Sequence, residues 1–120
     1  MDKRHERRLK VVQHLFAAMY DSPVRRNVNS EKVKEVLAHK ESLDKHVEAV
    51  AQKYTADKIA RVDLCILRLA LYELLIEKKV PPKVIINEAV ELGKELGSEK
   101  SPSFINAVLG KIYETERNKV

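Results

Sequence analysis

The sequence predicts an all-α fold, a bundle of about six to seven helices. Three observations carry this. Residues 62–76, VDLCILRLALYELLI, are apolar except for Asp63, Arg68, Tyr72 and Glu73, and no Gly or Pro interrupts them. Leu and Ala dominate the run, which favours helix over strand, and a helix apolar around most of its circumference is a central, buried one. Elsewhere, apolar residues recur at helical spacing, and no stretch shows the alternation of a half-buried strand. The connecting segments are short throughout, as between neighbouring helices of a bundle.

Each element has its own signal. The first helix is expected over 3–20, with Leu9, Val12, Leu15, Phe16 and Met19 as its buried face. Lys3, Arg7, Lys10 and His14 form a second, basic stripe on it, flanked by Arg4 and Arg8. Residues 21–30, DSPVRRNVNS, are rich in turn formers. Ser30 is the expected N-cap of a short helix that buries Val33, Val36 and Leu37. A third helix, from about Ser42 to Tyr54, carries Leu43, Val47, Val50 and Tyr54. Thr55 then caps a short turn into the central helix, expected over 62–79 and closed by Lys78 and Lys79. Val80-Pro81-Pro82 stops it sharply, and Pro82 suits the first position of the next helix. That helix runs to about Leu96 with Ile85, Ala89, Leu92 and Leu96 inward, and Gly97 ends it. Glu88, Glu91 and Glu95 fall on one side of it, which reads as a solvated face. Ser101 as N-cap and Pro102 as first residue open the last helix, over 102–116, with Ile105, Val108, Leu109 and Ile112 buried.

The exceptions on the central run read as capping or edge solvation. Arg68 and Tyr72, four apart, share a face, and Asp63 in the first turn suits the helix dipole.

Composition narrows the function. The 120 residues suit one domain, 1–120, large enough to bury a core without staples. The one cysteine, Cys65, lies inside the apolar run and reads as an inert buried thiol, in keeping with a cytoplasmic protein. The charged N-terminus predicts no signal peptide or membrane anchor. Seven Lys/Arg against three acids in residues 1–30 concentrate +4 of the net +5 there. Such asymmetry points to a polyanionic partner.

No catalytic constellation is visible. There is no HExxH, no CxxC and no phosphate-cradling glycine loop, and His5, His14, His39 and His46 do not pair at ligand spacing. The expectation is no enzyme, no cofactor and no metal. Two features suit RNA instead. The basic stripe could track phosphates, with a solvated helix face as the alternative. Phe104 lies about 100° round from Ile105, in the first turn of the last helix, beside Lys100, Ser101 and Ser103. A helix N-terminus offers N–H groups to an anion, and a ring there can stack on an unpaired base. The alternative is a core Phe closing the end of the bundle.

Several blocks in order resemble the NusB family. They are Asp63, ILRLALYEL at 66–74, VPPKVIINEAVEL at 80–92, SFIN at 103–106, and Val108-Leu109. More loosely, Arg4, Arg7 and Arg8 stand near the family's usual arginines, and VQHLF at 12–16 matches its Val-Gln-x-Leu-Tyr. Residues 21–55 match poorly and are shortened. The resemblance implies two packed helical subdomains. It also implies a factor of transcription antitermination and ribosomal RNA synthesis that binds boxA RNA with NusE within the RNA polymerase antitermination complex. By the same resemblance Arg4, Arg7, Arg8, Lys83, Asn87, Lys100, Ser101 and Phe104 are RNA-contact candidates, joined by Lys10 from the basic stripe, and Asp63 faces NusE. His5 and Glu6 interrupt the arginine cluster, and Phe16 replaces a Tyr. Lys100 stands where an acid is frequent, and Ser103 where a base is frequent. Two alternatives accompany this reading. One is a protein-interaction module or homodimer with little RNA binding. The other is a detached accessory domain of a ribosomal RNA methyltransferase, although no glycine-rich cofactor-binding region is present.

Overall fold

A computed structural model describes residues 2–20, 30–51 and 56–119. Six α-helices follow in order: α1 (Lys3–Ala18), α2 (Glu31–Ala38), α3 (Lys40–Val50), α4 (Arg61–Leu71), α5 (Pro82–Leu96) and α6 (Ser101–Arg117). A 3₁₀ turn, Ala56–Lys58, precedes α4, and a π-helical segment, Tyr72–Glu77, extends it. No strand occurs among the described residues, and no helix there is long and apolar enough to cross a membrane. The expected turn at 21–29, with Arg25 and Arg26, lies outside the described residues, as do Tyr54 and Thr55.

Helix α4 is the centre, as its composition requires. Every residue from Asp63 to Leu74 is buried, and α1, α3, α5 and α6 all pack on it. Ile66, Leu67 and Leu71 meet Leu15, Leu43, Ile85, Leu92, Ile105 and Leu109 in the core. Full burial of one such aliphatic side chain is worth about 1.5–3 kcal/mol, so the apolar run dominates the packing. Cys65 is fully buried, and burial pushes its thiol up to about 11.

Three of the four polar exceptions on this run, Arg68, Tyr72 and Glu73, are core pairs rather than solvated edges, while Asp63 is buried without such a pair among the described residues. Arg68 donates two hydrogen bonds of 2.8 Å to the Asp44 carboxylate on α3. The Tyr72 hydroxyl donates to Glu35 on α2, which pushes the phenol up to about 12. Glu73 receives Arg8 from α1. A buried charge is tolerable only when paired, so each of the three pairs marks where another helix docks.

Several boundaries differ from the sequence expectation. Helix α1 ends at Ala18, and Met19, expected inward, is exposed beyond it. Leu37 is likewise exposed, whereas Val33 and Val36 are buried. Helices α2 and α3 are separated by His39 alone, whose Nδ1 lies 2.8 Å from the Glu35 carbonyl oxygen. That contact closes the end of α2, and α3 begins at Lys40, before Ser42. Ser30 and Pro82 hold the positions expected of them: Ser30 accepts from the Val33 N–H, and Pro82 opens α5. Lys78 ends the central element in the left-handed region, with φ 56°, and its N–H donates to the Glu73 carbonyl at 2.9 Å.

Candidate RNA interface and partner cavity

The basic surface is built on α1. Asp2 caps the helix by accepting from the Arg4 N–H at 2.9 Å. Val12 and Leu15 turn inward onto α4, and this fixes the rotation of the rod. Arg4, Arg7, Lys10 and His14 are thereby set along a groove of about 480 Å³. Lys32 of α2 lies across it, and Val11, Leu69 and Val80 give it an apolar lining. Arg4, Arg7 and Lys10 are exposed, and none has a carboxylate partner among the described residues. Among the described residues Arg7 Nε donates only to the Lys3 carbonyl, at 3.4 Å. Arg8 is different. Its Nε and a terminal nitrogen donate to the Glu73 carboxylate at 3.0 and 2.9 Å, and the two side chains are 11% and 6% exposed. This pairing holds Arg8 more firmly charged and commits it to fastening α1.

A second cavity, also about 480 Å³, opens where α4 begins beside the start of α6. Asp63, Lys100, Ser103 and Phe104 line it with Lys58, Ile59 and Ala60. The Asp63 side chain is buried, and its Oδ1 has no hydrogen-bond partner among the described residues. An unpaired buried acceptor is costly, so Asp63 leaves a locally unsatisfied point in the wall of this cavity. Phe104 is half-buried, with part of its ring on the core and part on the cavity. Lys100 is exposed.

Two glycines set the close approach of α5 and α6. A Cβ on Gly93 would stand 2.9 Å from Ile105 Cδ1, and one on Gly97 would stand 2.3 Å from Ser101 Oγ. Gly97 has extended backbone, so close approach rather than a left-handed turn requires it. Ser101 is not the N-cap. It is the first residue of α6, it is 1% exposed, and its hydroxyl accepts from the Ser98 N–H at 2.9 Å. It shapes the turn from within, while Lys100 occupies the cap position. Lys83 and Asn87 are exposed on α5 and line neither cavity.

The sequence reading missed one cluster. His5, taken as an interruption among the arginines, is buried between Glu88 and Glu95 of α5. Glu91 and Glu95 are exposed, as expected of a solvated face, whereas Glu88 is partly buried. The signal was present: His5 precedes buried Val12 by seven positions, two helical turns, and Glu88 and Glu95 are also seven apart.

The sequence model of the NusB family matches residues 4–114. This chain belongs to the NusB family. A transcription antitermination protein NusB of Clostridium tetani is 54% identical over 70 residues, covering 58% of this chain and 46% of that protein. The chain spans between 46% and 64% of the length of three curated NusB relatives that it matches. Among solved structures, T. maritima NusB superposes with a TM-score of 0.77 at 28% identity, over 99% of each chain. A structure of the antitermination factors NusB and NusE in complex with double-stranded RNA superposes with a TM-score of 0.69 at 22% identity. It covers 95% of this chain and 99% of that one, and the likeness is one of fold. The NusB blocks at 66–74 and 80–92 contribute the buried centre of α4 and most of α5, so the family signature here is largely a packing signature.

Proposed function

We propose that this NusB-family protein is a non-catalytic RNA-binding adaptor of transcription antitermination and ribosomal RNA synthesis. In this reading it binds boxA-type RNA together with a NusE-type partner in the cytoplasm, as part of the RNA polymerase antitermination complex. One observation carries the reading: Arg4, Arg7 and Lys10 stand exposed along one groove, with no carboxylate to neutralise them among the described residues. Phosphates entering there would displace counterions and gain salt-dependent affinity. Arg8 supports this surface through Glu73 rather than leading it.

The second cavity supplies the rest. Phe104 offers a ring for base stacking and Lys100 a charge beside it, while Asp63, in the wall of the same cavity, is assigned to the partner. Partner and RNA would therefore meet at one place, which suits a pair whose RNA site is larger than either protein's own. Lys83 and Asn87 extend the polar surface of α5.

Titration with boxA RNA and a scrambled control tests this, with and without NusE, at two salt concentrations. The reading expects tighter, boxA-selective binding when NusE is present. Equal binding to both RNAs that vanishes at the higher salt would refute it and leave a basic interaction module.

A further inference from the structure

His5 is buried in the first turn of α1, with its side chain 9% exposed. Its Nδ1 lies 2.5 Å from Glu88 Oε2 and its Nε2 lies 2.6 Å from Glu95 Oε1. A neutral imidazole has one N–H and one lone pair, so it would set that lone pair against a carboxylate. Only the imidazolium donates to both glutamates. The first turn of a helix also lacks the backbone bonds that hold later turns. Beyond the Asp2 cap, His5 is the side chain that ties this turn to α5.

We propose that His5, as an imidazolium bridging Glu88 and Glu95, is a positioning residue for RNA binding. It fastens the first turn of α1, fixes Arg4 and Arg7 on the rim of the groove, and makes RNA affinity fall as pH rises. This rests on the RNA-binding reading of that groove.

Two effects act together when the proton leaves. The first turn loses its tie, so Arg4 and Arg7 must be ordered at the moment of binding, which weakens it. The cluster of one imidazolium and two carboxylates also goes from a net −1 to −2 beside Arg4, which repels phosphate. The charged residues next to this cluster in the chain are Asp2 at the cap of α1, Arg4, Glu6 and Arg8 on α1, and Glu91 on α5, and Glu73 follows α4 as the partner of Arg8. Glu73 is taken by Arg8 at 2.9 Å, and Glu91 by Lys94 at 3.1 Å. The hydrogen bond to Glu88 raises the His5 pKa above 6.5 against the opposing effect of burial, and Glu95 adds to the rise. The tie is therefore complete below pH 6.5 and is lost as pH passes through the raised value.

The experiment measures boxA RNA affinity of the full chain from about pH 6 to about pH 9 at fixed salt, with His5 followed by NMR on the same sample. Circular dichroism checks the folding of every variant. Affinity should drop by about fivefold or more across the range, with its midpoint at the His5 titration. H5Q should lose this pH dependence and bind about as weakly as wild type does at high pH. E88Q and E95Q, which keep the imidazole, should each move both midpoints down towards 6.5. His14 also lines the groove, so H14Q is the control, and it should keep the midpoint whatever its affinity. Selective RNA binding that is independent of pH, or midpoints unmoved in E88Q and E95Q, would overturn this inference alone. RNA binding absent at every pH would overturn the RNA reading, and this inference with it.

Discussion

Arg7 and Arg8 are adjacent in the chain and have opposite tasks. Arg7 is exposed on the groove, whereas Arg8 is paired with a glutamate that is itself buried. Arg8→Ala would strand the Glu73 charge, at a cost of about 3 kcal/mol, and urea unfolding should show it directly. Arg7→Ala should change stability by less than about 0.5 kcal/mol yet weaken RNA binding. Equal stability of the two variants would remove Arg8 from its structural role. Helical spacing already separates these neighbours: Arg8 stands four positions before buried Val12 and seven before buried Leu15, on their stripe, whereas Arg7 lies about 100° further round. What spacing cannot supply is the partner, Glu73, 65 positions away and visible only once α1 docks on α4. Arg68 and Tyr72 were read as solvated for the same reason: Asp44 and Glu35 lie 24 and 37 positions from them, on separate helices. His5 was within reach of the sequence, since its seven-residue spacing from Val12 already placed it inward.

At the level of elements, apolar periodicity and the proline and serine signals were enough for α1, α5 and α6 to within about two residues and for the start of α2, although Ser101 lies inside α6 rather than at its cap. The π-helical segment after α4 was not legible, because Tyr72–Glu77 has a composition that suits any helical register. Gly97 was correctly placed at the end of α5 but for an incomplete reason. Its backbone is extended, and the constraint is Ser101, which closes the turn from the far side. Gly97→Ala would put a methyl 2.3 Å from Ser101 Oγ and 2.6 Å from its Cβ. The variant should lose about 1–3 kcal/mol, as overpacked sites do, and should disturb the turn that presents Lys100 and Phe104. Thermal melting together with NMR shifts of residues 98–104 would check this. A variant as stable as wild type would show that the α5–α6 turn yields easily.

Across the whole molecule, charge and chemistry are divided between two places. The +4 carried by residues 1–30 was legible as a polyanion signal, and α1 sets part of it along the groove. The meeting of Asp63 with Lys100 and Phe104 in one cavity was not legible, because 37 or more positions separate them in the chain. That meeting predicts that Asp63→Lys impairs pairing with NusE, measured by calorimetry, while RNA binding by the single chain is largely retained. Normal pairing would take Asp63 out of the interface. On the proposed reading of the groove, Arg4 and Arg7 contact phosphate. The salt dependence of RNA affinity tests it most directly, comparing wild type with the Arg4→Ala, Arg7→Ala double variant. Loss of two phosphate contacts should flatten the slope of log affinity against log salt by about 1.4 for single-stranded RNA. An unchanged slope, with the variant folded, would contradict the assignment of this groove to RNA.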